Sequence, residues 1–330
     1  MKPKVAVAVI GAGTFGRNHV RVLSRMPEVE LVAVVDLDLE KARALAAEYA
    51  TQGFGSIDRL LKPIDAAIVA TPTVTHEIVA EALLGSGVDV LIEKPIADSP
   101  EAGERLTRLA EENGQILQVG HLERFNPAVV KLAEMCTIPL FFEVHRLSIF
   151  TPRSLDIDVV LDLMIHDLDL ILHLTGELPV EIRASGIAVL SPKVDIANVR
   201  LSFASGCVAN LTASRISTDQ VRKLRMFQPG EYLSVDYKRQ DLSRARISPD
   251  ELSSTPQPSN GFVFSKEPIE SAEPLELELD AFIKAVRDRS RPKVDGHEAT
   301  RVLRLAEEIL VTIKEHAQLV SRTIQRLGKH

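Results

Sequence analysis

The sequence predicts an α/β protein: a doubly wound parallel sheet at the N-terminus, followed by an α+β domain with an open, mostly antiparallel sheet. Three observations carry this. Short apolar runs alternate with helical patterns over the first 120 residues, which is the rhythm of strands covered by helices on both faces. After Gly120 the rhythm changes to longer strands with alternating apolar positions and turn signals. A length of 330 residues leaves room for two cores.

Val5–Ile10 (VAVAVI) is too short and too valine-rich for a helix and reads as a buried strand. The turn Gly11-Ala12-Gly13-Thr14-Phe15-Gly16 follows, then RNHVRVLSRM with helical spacing. A second strand, Glu30–Val35, ends on Asp36. LEKARALAAEYA, HEIVAEALLGSG and Pro100–Asn113 read as helices, and Asp65–Ala70, Val88–Ile92 and Ile116–Val119 as strands. The first domain is expected to span residues 1–121 and the second residues 122–330. In the second, Asn126–Met135 reads as a helix and Pro139–Arg146 as a strand. Asp156–Leu174 is a strongly apolar helix, and Val180–Tyr237 is a run of strands. Ala204-Ser205-Gly206 and Pro229-Gly230 mark hairpin turns. Residues 240–275, rich in Ser, Pro and Glu, read as a long connection before two closing helices.

The composition, 45% hydrophobic and 26% charged, is that of a globular protein. A formal net charge of -7 with no basic arm argues against a nucleic-acid binder. Two cysteines, Cys136 and Cys207, make neither a disulfide framework nor a cysteine zinc site, so a reducing cytoplasm is expected. Neither a signal peptide nor a bilayer-spanning run is visible.

The Gly-rich turn is informative through its context: it follows a strand, opens a helix, and has Asp36 twenty positions beyond its last glycine. Gly11 allows the tight turn, Gly13 lets backbone approach a pyrophosphate, and Gly16 permits close helix–strand contact. The helix start offers free N–H groups to phosphates. Asp36 would accept hydrogen bonds from ribose hydroxyls and repel a 2'-phosphate, which favours NAD over NADP. The alternative is a plain βα turn with Asp36 as a helix cap. The loops Ala70-Thr71-Pro72-Thr73 and Glu93-Lys94-Pro95 follow other strands, so topology places Lys94 at the ligand edge of the sheet. A lysine escaping to solvent is the competing account.

The helix 156–174 is apolar on nearly every side, yet Asp162, His166, Asp169 and His173 recur at intervals of four, three and four. Burying titratable groups is costly unless they are paired or used. Either they satisfy one another or they line a cleft. Asp162, His166 and Asp169 could form three metal ligands, but no second cluster supplies a fourth, so no metal is expected.

GAGTFG with Asp36, then ATPTVTH, EKP and an Asp-x-x-x-His pair in the second domain together resemble the glucose-fructose oxidoreductase / inositol dehydrogenase (Gfo/Idh/MocA) family over nearly the whole chain. The resemblance implies a Rossmann NAD domain and catalytic roles for Lys94 and His166, with Asp162 as companion acid. It implies cofactor contacts from Gly11, Gly13, Thr14, Phe15, Gly16, Asp36, Thr71, Pro72, His76, Glu93 and Lys94. It also implies a homodimer or homotetramer through the second sheet, with the last helices packing back on the first domain. The chain departs from the family's glycines before the acid, having Asp158-Val159-Val160-Leu161. VGHLERFNP (Val119–Pro127) and DVVLDLMIHDLDLIL are most similar to the branch that oxidises the 3-hydroxyl of UDP-N-acetylglucosamine. That branch feeds an aminotransferase on the way to 2,3-diamino-sugar lipid A.

Secondary-alcohol oxidation by NAD needs a base near neutral pKa, which suits neutral His166. Lys94 would stabilise the developing alkoxide. Asp162 would orient the imidazole or the substrate, Asp169 would act from the other side or cap the file, and His173 would belong to the core. Substrate contacts are expected from Arg124, Asn126, Arg153, Asp169 and Arg215, with Arg146 and Arg222 as further cations for a diphosphate. Competing functions are a myo-inositol or other free-sugar dehydrogenase, which needs no arginine cluster, and a non-catalytic NAD(H) sensor, which needs neither Lys94 nor His166.

Overall fold

A computed structural model describes residues 3–59, 63–151, 157–247 and 262–327. The chain forms two compact units: residues 1–125 with 273–304, and residues 126–272 with 305–330. The first break falls after Phe125 rather than after residue 121. The reason is local: Arg124 pairs with Glu298 at 3.2 Å, and Phe125 is buried beneath the Lys293 ammonium, 4.9 Å from its ring. The second break passes through one helix, between Arg304 and Leu305.

In the first unit six parallel strands are ordered β3-β2-β1-β4-β5-β6. They are β1 (Val5–Ile10), β2 (Val29–Val35), β3 (Gln52–Phe54), β4 (Ala66–Val69), β5 (Asp89–Glu93) and β6 (Leu117–Gly120). Only β3 lacks a sequence signal: three residues, none of them buried, carry no periodicity. Strands β1 and β4 and the centre of β5 (Val90–Ile92) are apolar because helices cover both faces. Those helices are α1 (Thr14–Leu23), α2 (Leu39–Glu48), α3 (His76–Gly85) and α4 (Pro100–Glu112). Local chemistry sets their starts. The Asp38 carboxylate accepts from Lys41 N–H at the head of α2, and Ser99 caps α4 ahead of Pro100. The late helix α7 (Pro274–Asp288) returns to this unit and inserts Leu279, Phe282 and Ile283 into the core beside β1 and α1.

The second unit is built on an eight-stranded sheet, ordered β14-β13-β12-β11-β7-β10-β9-β8. Its strands are β7 (Phe141–Ile149), β8 (Pro179–Ile187), β9 (Ile196–Phe203), β10 (Val208–Ser217), β11 (Val221–Gln228), β12 (Glu231–Asp236), β13 (Asp241–Ile247) and β14 (Phe262–Lys266). All neighbours are antiparallel except β7 and β10. The Ala204–Gly206 and Pro229-Gly230 turns join β9 to β10 and β11 to β12, with Gly206 and Gly230 at φ +87° and +70°. The expected connection 240–275 needs correction, because it contributes β13 and β14 to the sheet edge; residues 248–261 lie outside the described set. Its Ser and Pro content hid two strands whose apolar alternation is weak.

Helices α5 (Pro127–Met135) and α6 (Ile165–Thr175) and the end of α8 (Gly296–Leu327) complete this unit. A guanidinium fixes α6 to β7: Arg146 donates to both Asp167 oxygens, at 2.7 and 2.9 Å, and lies over the Tyr237 ring at 5.1 Å. Both partners are about 1–2% exposed. Asp195, fully buried, closes the β8–β9 loop by accepting from the N–H groups of Val189, Leu190 and Ser191 and from the Ser191 hydroxyl. Burial opposes ionisation there, but those donors win and hold its carboxyl down to about 2. No helix among the described residues is long and apolar enough to cross a membrane.

A buried bidentate pair is most damaging when halved, since the remaining charge keeps its desolvation cost. Arg146→Met is expected to destabilise the protein by about 3–5 kcal/mol in urea unfolding. Adding Asp167→Leu should recover most of the loss. A double variant no more stable than Arg146→Met would show that the pair itself is not what holds α6.

Candidate active site

The carboxyl edge of the parallel sheet is assembled from turns that follow β1, β2, β4, β5 and β6. Gly11, at φ +107°, lies so close to Ala70 that a Cβ would strike its carbonyl. A Cβ on Gly16 would collide with the Gly11 carbonyl. Gly13 differs: a Cβ there meets nothing within 4 Å, so its backbone faces open space at the start of α1. No side chain caps α1 and no acid occupies its first turn, which leaves the Thr14, Phe15 and Gly16 end of the helix available to an anion. Phe15 is exposed. Asp36 is not the cap of α2, a place taken by Asp38; its Oδ2 accepts from Ala12 N–H at 2.7 Å and its Oδ1 from Asp38 N–H at 2.9 Å. The carboxylate is thereby held beside the Gly-rich turn. These residues fit a dinucleotide: a side-chain-free cradle, an uncapped helix start and an acid at the end of β2.

His76 acts as a brace. Its ring nitrogens lie 2.9 Å from the carbonyls of Thr71 and Pro95, tying the loop after β4 to the loop after β5. Burial lowers its pKa, opposed by those two carbonyls, so the neutral ring donates to one of them. Glu93 lies at the end of β5, where its Oε1 meets His19 Nε2 at 2.7 Å. Burial, and then the charge of Glu93, push the carboxyl of Glu278 on α7 well above its ordinary 4.5. Lys94 follows, half-buried, at a cis bond to Pro95. Beyond β6 stands His121, 1% exposed, and neither ring nitrogen has a partner among the described residues. Burial, then the charges of Arg124 and Lys94, push its imidazole down to about 3. The sequence contained His19, His121 and Glu278 in plain view, but only the register and the returning helix place them here.

In the second unit the apolar helix is not uniform. Val160–Met164 form a wide π turn, in which Ile165 N–H donates to Val160 O five residues back; α6 follows directly. The extra residue rotates Asp162 relative to His166, so the expected single file is broken at its first step. Such turns recur at functional sites. Asp162 and His166 are half-buried, and Asp169 is buried. His173, expected in the core, is exposed in the last turn of α6, where a basic group suits the helix dipole.

Most of the residues expected at the substrate have partners of their own within the fold. Arg124 is buried against Glu298 and the Lys293 carbonyl, and Arg146 is spent on Asp167. Arg215 reaches Asp195 and the Ile157 and Val194 carbonyls. Asn126 caps α5 at Ala128 N–H and donates to the Tyr237 carbonyl. All four are engaged inside their own units. Arg153 lies outside the described residues. Arg222 is half-buried on β11. Among the described residues no His, Cys, Asp and Glu group is arranged to hold a metal ion.

The Gly13 and Gly16 environments make opposite predictions. Gly13→Ala should fold with an unchanged melting temperature but lose at least tenfold in NAD affinity, because its methyl enters the cradle. Gly16→Ala should lose stability, because its methyl meets backbone. Calorimetry and fluorescence titration with NADH test both; unimpaired NADH binding by Gly13→Ala would remove the cradle.

Comparison with known proteins agrees with this edge. Residues 5–121 match the oxidoreductase family with NAD-binding Rossmann fold, GFO_IDH_MocA, and residues 142–227 match the GFO/IDH/MocA C-terminal domain. A UDP-N-acetylglucosamine 3-dehydrogenase of Acidithiobacillus ferrooxidans is 36% identical over 311 residues, covering 94% of this chain and 97% of that one. The solved structure of that enzyme superposes with a TM-score of 0.88, covering 94% of this chain and 98% of the other. An inositol 2-dehydrogenase of Rhizobium meliloti is 26% identical over 335 residues, covering 96% and 98%. The chain belongs to the GFO/IDH/MocA family, and it is an NAD-dependent oxidoreductase.

Proposed function

We propose that the protein oxidises the 3-hydroxyl of UDP-N-acetylglucosamine to the 3-keto sugar nucleotide. The observation that carries this reading is near full-length, 36% identity to an enzyme of that name, against 26% for an inositol 2-dehydrogenase. The arginines do not carry it, since Arg124, Arg146 and Arg215 are engaged within the fold.

NAD, held at the Gly-rich turn and Asp36, would supply the acceptor for the hydride that leaves the carbinol carbon. The chain's own residues handle the oxygen. The His166 imidazole takes the hydroxyl proton as the C–H bond breaks and the C=O bond forms. The Lys94 ammonium donates a hydrogen bond to the same oxygen and stabilises its developing negative charge. Asp162, on the π turn just before His166, orients the imidazole or the sugar. Cofactor binding falls to Gly11, Gly13, Thr14, Phe15, Gly16 and Asp36, with Thr71, Pro72, His76 and Glu93 shaping the edge around Lys94.

A C3 ketone is the substrate an aminotransferase requires, so such an enzyme is the proposed next step, in lipid A biosynthesis. Free Cys136 and Cys207 fit a reducing cytoplasm.

NADH formation should appear with UDP-N-acetylglucosamine and fail with myo-inositol; UDP-glucose and UDP-N-acetylglucosaminuronate complete the panel. Reduction of NAD by the inositol alone would make this a polyol dehydrogenase. His166→Ala and Lys94→Met should each lower kcat by about 100- to 10,000-fold. In His166→Ala, NAD affinity should stay within about threefold of the parent enzyme, since the role of this base is not in cofactor binding energy. Retained turnover in His166→Ala would exclude it as the base.

Self-association is proposed through the outer face of the second sheet. That face carries a shallow depression of about 840 Å³ lined by Phe141, Glu143, His145, Arg200, Thr212 and Phe227, among others. It joins an aromatic cluster, Phe141–Phe227–Tyr232, to the Arg225–Glu143 ion pair. A self-complementary surface of this kind suits a two-fold interface. Sedimentation should give a dimer or tetramer, dissociated by Phe227→Asp; a monomeric parent protein would rule this out.

A further inference from the structure

One buried group at the cofactor edge has no task in the reaction above. In the β5–β6 ladder the last pair in register is Glu93 with Gly120, so Lys94 and His121 leave the sheet side by side. His121 is 1% exposed, and both of its ring nitrogens lack a partner among the described residues. A buried polar atom in that condition is rare in a folded protein and calls for an explanation. The backbone of His121 is not the cause, because its N–H donates to Val119 O at 2.8 Å and its carbonyl accepts from Arg124 N–H at 3.0 Å. The ring alone is unsatisfied.

The sheet order says which part of a dinucleotide comes to this place. The strand order reverses between β1 and β4, and a dinucleotide crosses the sheet at that switch point. Asp36, at the end of β2, receives the adenosine ribose on one side. The other mononucleotide then lies over the ends of β4, β5 and β6, where Lys94 and His121 stand. We infer that His121 binds the carboxamide of the nicotinamide ring and sets the face of the ring that accepts hydride.

The chemistry matches on both sides. A neutral imidazole has one N–H donor and one bare nitrogen acceptor. A carboxamide has one carbonyl acceptor and an NH2 donor. Oxidised nicotinamide carries a positive charge, so a protonated histidine would repel it. Burial together with the nearby Arg124 and Lys94 charges keeps the ring neutral through the physiological range. The inference does not depend on which sugar is oxidised.

Affinity for NAD, ADP-ribose and 3-acetylpyridine adenine dinucleotide tests it, measured by calorimetric titration of the whole protein. ADP-ribose lacks the nicotinamide, and the acetylpyridine analogue keeps the carbonyl but replaces the NH2 by a methyl. His121→Phe should weaken NAD by about tenfold, equivalent to about 1.4 kcal/mol, and leave ADP-ribose unchanged. His121→Asn, which retains a donor and an acceptor, should stay within threefold of the parent. The parent protein should prefer NAD to the acetylpyridine analogue, a preference lost in His121→Phe. If neither variant folds, the parent protein with 15N-labelled histidine decides: the His121 ring signals should move with NAD and not with ADP-ribose. Equal weakening of NAD and ADP-ribose, undiminished NAD binding by His121→Phe, or a ring signal indifferent to NAD would each overturn the assignment.

Discussion

The active edge of the first unit depends on one constraint, the absence of side chains where the chain turns after β1. Gly11 is packed against the backbone after β4, and Gly16 against the carbonyl of Gly11. With those contacts made, α1 starts close to the sheet and its first N–H groups stay uncapped. The Ala12 N–H is fixed by Asp36, which ties the Gly-rich turn to the acid at the end of β2. The neighbouring loops are tied in the same manner: His76 links Thr71 to Pro95, and His19 links α1 to Glu93. A short backbone approach and a set of part-buried hydrogen bonds thus join the loops on either side of Lys94.

Buried charge is used differently in the two units. In the second unit it is paired and structural: Arg146 with Asp167, Arg215 with Asp195, and Asp195 again with four donors of its own loop. These groups specify how α6 and the β8–β9 loop sit on the sheet. In the first unit two buried titratable groups near the cofactor edge have perturbed pKa values, Glu278 pushed up by burial and by Glu93, and His121 pushed down to about 3 by burial and by the charges of Arg124 and Lys94. Perturbed groups concentrated at a ligand edge are a mark of function rather than of stability. The π turn before His166 belongs with them, since a strictly α-helical segment would give Asp162 a different heading.

Several readings of the sequence changed for reasons that spacing cannot convey. Four acids and histidines at helical intervals looked like one file, but a single extra residue in the first turn re-aims Asp162, and His173 is exposed in the last turn of α6. Of the arginines read as a diphosphate receptor, Arg124, Arg146 and Arg215 each stand beside a carboxylate of their own unit. A Ser- and Pro-rich stretch looked like a linker, although part of it pairs as β13 and β14. In each case the deciding fact is a partner far away in sequence.

What the sequence determined by itself was whatever depends on local covalent and steric rules. The Gly-rich turn, its preceding strand and Asp36 specified a dinucleotide edge, because only glycine permits those backbone approaches. The strand–helix alternation specified the parallel sheet, and the hairpin turns the antiparallel one. Tertiary structure alone decided which titratable groups meet. The pairing of Glu93 with Gly120 brings His121 beside Lys94, and the return of α7 brings Glu278 towards Glu93. Those meetings are set by strand register and long-range packing, and a pattern read along the chain carries no information about either.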